Sequence, residues 1–279
     1  MSTCRRFEGK VAIITAATKG IGLSIAERLG QEGASVVICS RNRKNVDEAV
    51  QYLNDKGISK AGGVVCHIAN PKDQKNLVDY TISQYGRIDI LVNNHGINPT
   101  FGHILGKNSF IVNYISDNRY PLFLDVDDKI WDKLFEVNVK AGWQMTKLVY
   151  PHMVKNGGGS IIFNASYSAY KNPPGIAAYA VTKTTLVGLT KALANELSKD
   201  NIRVNGIAPG IIKTKMSQML WDGNGDEGER NLVAEHEIQL GRLGVPEDCA
   251  GAVAFLASSD ANYITGEVIV IAGGIHARL

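Results

Sequence analysis

Tyr179 and Lys183 stand four residues apart in "SYSAYKNPPGIAAYAVTK", where a helical pattern begins. That spacing brings both side chains to one helix face. A phenol titrates at roughly pH 10 and is a poor proton donor or acceptor at neutrality. A neighbouring ammonium favours the phenolate, so Lys183 is expected to lower the Tyr179 pKa towards its working range. Ser166, 13 residues before Tyr179 at the end of an apolar run, is placed to hydrogen-bond a substrate oxygen. The chemistry suggested is proton transfer at an oxygen. A lone Tyr–Lys pair is equally a surface feature of a helix, so the context decides.

Two further stretches supply that context. "TAATKGIG", Thr15–Gly22, follows the apolar run "KVAII". Gly20 and Gly22 would let main chain approach phosphate oxygens, with a helix N-terminus supplying N–H donors. The second stretch is "CSRNRK", where Ser40, Arg41, Asn42 and Arg43 end the next apolar run without a carboxylate. An acid there would suit the ribose 2′-hydroxyl of NAD, whereas a guanidinium suits the 2′-phosphate of NADP(H). Lys19 adds a second cation in the first turn. A solvated basic turn is the competing reading, but the position at the strand end favours NADP(H).

These residues need strands and helices to hold them. Apolar runs ("VAIIT", "SVVICS", "GGVVCHI", "RIDILVNN", "SIIFNAS", "IRVNGIAPG", "EVIVIAGG") alternate with helical patterns along the whole chain. Near-continuous apolar strands are expected where helices cover both faces of a parallel sheet. The pattern predicts a single α/β domain, doubly wound and Rossmann-type, spanning 1–279 with about seven strands. Long helices are predicted near 127–155 and 178–198. In such a sheet ligands bind outside the carboxyl ends of the strands, which is where Thr15, Ser40, Asn93 and Ser166 fall.

Composition narrows the partners. A net charge of +3 gives no reason to expect nucleic acid. No apolar run is long enough to span a membrane, and "MSTCRRFEGK" lacks the apolar core of a secretory signal. Cys4, Cys39, Cys66 and Cys249 are widely spaced with no C-x-x-C pair, so no metal is expected and reduced, packed thiols are.

Together these motifs resemble the short-chain dehydrogenase/reductase family over essentially the whole chain apart from 106–124. The family loop T-G-x-x-x-G-x-G is matched at Thr15, Gly20 and Gly22 and departed from at Ala16. Its N-N-A-G motif is matched at Asn93, Asn94 and Gly96, with His95 in place of Ala. His67 stands where many members carry an Asp near the adenine. The resemblance implies a catalytic set of Asn138, Ser166, Tyr179 and Lys183. It implies an NADP(H) site drawn from Thr15, Thr18, Lys19, Gly20, Ile21, Gly22, Ser40, Arg41, Asn42, Asn93, Gly96, Tyr179, Lys183, Pro209, Gly210, Ile212 and Thr214. Within the family the chain looks most similar to peroxisomal NADPH-dependent carbonyl and retinal reductases, through "VCHI", "IKTKMSQMLW" and "LGRLGVPEDCAG". That implies hydride transfer between NADP(H) and a ketone or aldehyde, and a homotetramer. A 3-oxoacyl-thioester reductase, an NAD-dependent alcohol dehydrogenase and a non-catalytic NADP(H)-binding redox sensor are the alternatives.

Three segments lie outside the motifs. Residues 213–243 carry apolar Met216, Met219, Leu220 and Trp221 beside the polar "WDGNGDEGER", and are expected to form a substrate lid or a surface excursion. "GKNSFIVNYISDNRYPLFL", 106–124, has neither strand nor helix periodicity. Removing it joins "FGHIL" to "DVDDKIWDKLFEVNV", so it reads either as a loop near the site or as an unspliced in-frame intron. The chain ends in Ala277-Arg278-Leu279, a small–basic–apolar pattern that a peroxisomal import receptor would read; without it a cytoplasmic location is expected.

Overall fold

Alternation along the strands decides how the sheet is covered. The computed structural model describes residues 5–98, 126–172, 175–221 and 225–275. The 106–124 stretch, Cys4 and the terminal Ala-Arg-Leu lie outside the described residues. In chain order the elements that frame the site are β1 (Val11–Ile14), α1 (Gly20–Gln31), β2 (Ser35–Ser40), α2 (Arg43–Asp55), β3 (Ala61–Val65), α3 (Pro71–Tyr85) and β4 (Ile90–Asn93). After 99–125 come α4 (Asp128–Phe135), a π-helical turn (Glu136–Lys140), α5 (Ala141–Lys155), β5 (Gly159–Asn164), α6 (Ala177–Leu197) and β6 (Ile202–Pro209). The chain continues through α7 (Gln218–Trp221), α8 (Gly225–Glu235), α9 (Pro246–Ala257) and β7 (Val268–Ile271).

Among the described residues the strands form one parallel sheet ordered β3-β2-β1-β4-β5-β6-β7. Successive side chains point to opposite faces. Ile13, Val37, Leu91 and Ile161 pack with Leu77, Met145, Val149, Leu186 and Leu193 of α3, α5 and α6. Their strand neighbours Ile14, Val36, Ile38, Val92 and Ile162 pack with Ile25, Leu29, Leu53, Val253 and Leu256 of α1, α2 and α9. Burial on both faces explains why the strands lack polar alternation.

The order reverses between β1 and β4, so a crevice opens beyond their carboxyl ends. The helix ends there differ. Asn42 caps α2 by accepting from Asn45 N, and Asn70 caps α3 by accepting from Lys72 N at 2.9 Å. At the start of α1, Lys19 makes no side-chain cap and the first turn carries no acid. The first-turn N–H groups of α1 therefore keep their donor capacity for a partner from outside the helix.

The described parts of the 213–243 segment, 213–221 and 225–243, pack into the fold. Leu232 of α8 joins Ile211, Ile238, Leu243 and Ile275 in a separate small core, with Tyr167 and Trp221 packed against it. Glu229 pairs with Lys213 and accepts from Leu243 N at 3.1 Å, tying α8 to both ends of the segment.

Candidate active site

The glycine-rich turn is held by hydrogen bonds from β4. Thr15 is fully buried, and Asn94 N and His95 N approach its Oγ1 at 3.0 and 3.3 Å. His95 Nδ1 lies 2.8 Å from the same oxygen. A hydroxyl carries one proton and two lone pairs. Val92 O, 3.2 Å from the same oxygen, is a second acceptor for the Thr15 proton beside Nδ1, so the hydroxyl is satisfied on every side within the protein. Burial, and secondarily the Lys183 charge, push the His95 pKa down to about 3, so the ring is neutral near pH 7. Thr15 was expected among the cofactor contacts; its hydroxyl is spent inside the protein.

Asn94 completes the clasp. Its Nδ2 donates to Thr15 O at 3.1 Å and to Ala16 O at 3.2 Å, while its Oδ1 accepts from Asn164 Nδ2 at 3.0 Å. A Cβ on Gly22 would lie 2.4 Å from Asn94 Nδ2 and 2.7 Å from Ala17 Cα, so only glycine fits. Gly20 adopts φ +56° and faces Thr214, whose Cγ2 would be 3.2 Å from an added Cβ. Asn93 points the other way: Gly142 of α5 lies over it, with an added Cβ 3.5 Å from Asn93 Cγ. Its amide atoms have no hydrogen-bond partner among the described residues.

Ala16, where the family motif has glycine, adopts φ 51°. The left-handed region costs a residue with a Cβ about 1–2 kcal/mol, against about 0.5–1 kcal/mol of extra chain entropy lost by glycine. Ala16→Gly is therefore expected to stabilise the protein by about 0.5–1 kcal/mol, raising the thermal midpoint by about 1–3 °C. Differential scanning calorimetry checks this, and a lower midpoint in the variant would contradict it.

The residues Ser166, Tyr179, Lys183 and Asn138 converge at the carboxyl ends of β4 and β5. Lys183 is 3% exposed, donates from Nζ to Asn164 O at 2.7 Å, and lies 5.4 Å from the Tyr179 ring centroid. Gly96 admits it closely, since an added Cβ would be 3.2 Å from Nζ. Ser166 accepts from Ser168 N at 3.2 Å and hydrogen-bonds the Tyr179 phenol. Asn138 sits in the π-helical turn, a distortion common at functional positions. Its Oδ1 accepts from Ile97 N at 2.8 Å, and its Nδ2 donates to Ile97 O and to Thr182 Oγ1, both at 3.0 Å. Thr182 Oγ1 in turn donates to Tyr179 O at 2.7 Å. Asn138 thus braces the turn after β4 against α6, and its side chain is committed to that brace.

The electrostatics correct one expectation. Lys183 does not bring the Tyr179 pKa down. Burial pushes the phenol up to about 12, against the opposing Ser166 hydrogen bond. Burial also pushes Lys183 down to about 7, because its ammonium has lost water and gained one carbonyl. Tyr179 is therefore a neutral phenol with a proton to give throughout the neutral range.

The cationic turn after β2 is exposed. Neither Lys19 nor Arg41 has a carboxylate partner among the described residues, whereas Arg43 lies 3.7 Å from Asp47. Ser40 ends β2, Asn42 is committed to capping α2, and Thr18 and Ile21 flank the start of α1. Pro209 closes β6, Gly210 N donates to Ile271 O at 2.8 Å, and Ile212 is buried in a bridge to Gly244. Asn164, Thr182 and Ser217 are residues of this region that the motif-based reading left out, and Asn94 was matched in the motif but given no role. The second asparagine of "NNHG" was the available signal for Asn94; the rest carry none, because their partners are distant in sequence.

Comparison with known proteins gives the family of the chain. A family model described as Enoyl-(Acyl carrier protein) reductase matches residues 15–276. The chain is 68% identical over 278 residues to Dehydrogenase/reductase SDR family member 4 of Caenorhabditis elegans, covering 100% of this chain and 99% of that protein. It is 46% identical over 270 residues to the Homo sapiens protein of the same name, covering 97% and 88% respectively. A solved 7α-hydroxysteroid dehydrogenase, complexed with NADH and 7-oxo glycochenodeoxycholic acid, superposes with a TM-score of 0.82 at 32% identity. That match covers 98% of this chain and 97% of the other.

Proposed function

Because the chain belongs to the short-chain dehydrogenase/reductase family, we propose that it is an NADP(H)-dependent carbonyl reductase running reversibly as an alcohol dehydrogenase. The observation that carries this reading is the convergence of Ser166, Tyr179 and buried Lys183 beside the β1/β4 switch point. The residues present fit a dinucleotide. The start of α1 is uncapped, its first turn carries no acid, and Gly96 leaves room beside Lys183.

When bound, the nicotinamide supplies or accepts the hydride. In reduction, Ser166 steadies the carbonyl oxygen and Tyr179 gives its proton to that oxygen as negative charge develops there. Lys183 holds the nicotinamide ribose and, when charged, stabilises the phenolate left behind. Asn138 keeps α6 and the turn after β4 in register, so the Tyr179 hydroxyl stays within reach of Ser166. Four-residue separation of Tyr179 and Lys183 favours carbonyl over enoyl reduction, since enoyl reductases of this family usually space the pair more widely.

The preference for NADP(H) is supported by the free cations of Arg41 and Lys19 and by the lack of an acid at the end of β2. Arg41→Asp is expected to lower kcat/KM with NADPH by about 100-fold and to raise it with NADH. Steady-state kinetics with both cofactors against retinal, α-dicarbonyls, aromatic ketones and 3-oxoacyl thioesters tests the whole reading. Turnover of thioesters alone would move the assignment to fatty-acyl chemistry, and parent turnover faster with NADH would overturn the cofactor preference. Peroxisomal delivery is part of the proposal and is supported by Ala277-Arg278-Leu279 alone.

A further inference from the structure

Ser217 occupies the turn between the β6 exit and α7, at the base of 213–243. Its Oγ lies 2.5 Å from Ile212 O, 3.1 Å from Thr214 N, 3.2 Å from Thr214 O, 3.3 Å from Thr214 Oγ1 and 3.3 Å from Trp221 Nε1. One proton and two lone pairs must be shared among these groups. Ile212 O can only accept and is nearest, so it takes the proton. The Thr214 N–H and the Trp221 indole N–H can only donate, and they fill the lone pairs. The Thr214 hydroxyl is then left with its own proton free for a partner outside this knot.

The three groups so joined belong to different parts of the cleft. Ile212 is the fixed part: it bridges to Gly244, with Lys213 N donating to Gly244 O at 2.8 Å and Gly244 N to Ile211 O at 3.0 Å. Thr214 faces the phosphate turn, its Cγ2 within 3.2 Å of where a Gly20 Cβ would stand. Trp221 ends α7 and packs on the small core that carries α8. We infer that Ser217 is a positioning residue: it aims Thr214 at the dinucleotide and latches α7, through Trp221, to the end of β6. The inference rests on the dinucleotide site proposed above.

The test compares Ser217→Ala, Ser217→Thr and Trp221→Phe with the parent, measuring the NADPH Kd by fluorescence and KM and kcat with one carbonyl substrate. Ser217→Ala is expected to raise Kd and KM for NADPH about tenfold while kcat stays within about threefold. Ser217→Thr keeps the hydroxyl and should return both to within about twofold of the parent. Trp221→Phe removes only the indole donor and should raise Kd by about two- to threefold. Unchanged Kd and KM in Ser217→Ala, or an equal loss in Ser217→Thr, would overturn the inference. Should Ser217→Ala fail to fold, Trp221→Phe decides, and an unchanged Kd there counts against it. A parent that binds no dinucleotide would instead sink the underlying site, so the two failures are distinguishable.

Discussion

Tyr179→Phe is expected to lower kcat for carbonyl reduction by about 10²–10⁴-fold while leaving NADPH affinity within about twofold. The substitution removes one oxygen and keeps the ring that lies beside Lys183. Among the described residues no other side chain is set to replace the lost proton. Lys183 Nζ is turned to Asn164 O, His95 is neutral and hydrogen-bonded to the Thr15 hydroxyl, and Ser166 has no acidic proton at neutral pH. The phenol's elevated pKa of about 12 sets the direction of the pH dependence. In reduction the protonated form is the reactive one, so this group should leave the rate flat from about pH 6 to 9. In oxidation the phenolate must take the alcohol proton, so that rate should climb with pH over the same range. Wild-type-like turnover in Tyr179→Phe would remove Tyr179 from the chemistry, and a reduction rate that falls steeply above pH 7 in step with phenol loss would contradict the burial argument.

Lys183→Met should lower kcat/KM by about 10³-fold, since it deletes both the proposed ribose contact and the proposed charge support for the phenolate. Methionine is nearly as long, so the cavity stays filled and the direct structural loss is one hydrogen bond to Asn164 O. The stability of the two proteins should also respond differently to pH. The folded pKa of about 7 lies below the unfolded value of about 10.5. Between these values the unfolded chain binds more protons than the folded one, so stability contributed by this group rises with pH. Below about pH 7 the ammonium is charged in both states and its full desolvation penalty is felt. By linkage that penalty is up to about 5 kcal/mol. The ligand-free parent should therefore gain denaturation midpoint, relative to Lys183→Met, as pH rises from 7 to 10. Parallel midpoint curves for the two proteins would show that Lys183 keeps its ordinary pKa.

Much of the fold was legible before any coordinates. Strands such as Val11–Ile14 and Ser35–Ser40 are short β-branched runs between helical patterns, and local pattern suffices to read them. The predicted helices near 127–155 and 178–198 appear as α4 to α5 and as α6 (Ala177–Leu197). The π-helical turn within the first of these was not foreseeable, because it is imposed by Asn138 reaching across to Ile97 and Thr182. Helix α8 was hidden by Gly225 and Gly228, and it forms because Leu232 finds Ile238, Leu243 and Ile275 to pack against. Propensity is a weak prior that such burial overrides.

By itself the sequence determined the αβ alternation, the place of the glycine-rich turn, and the identity of Ser166, Tyr179 and Lys183. These are carried by residue type and short-range spacing. The tertiary structure alone decided what those residues are like. It withdrew Lys183 and the Tyr179 phenol from water, so that desolvation, and not the neighbouring ammonium, sets the direction of the phenol's pKa. It turned Thr15 and Asn94 inward as a clasp, and gave Ala16 a left-handed backbone where glycine would rest more easily. The reason is common to all of these. Desolvation, hydrogen-bond satisfaction and backbone strain depend on partners brought together from β1, β4, β5 and α6, up to about 170 residues apart, and no local window of sequence contains them.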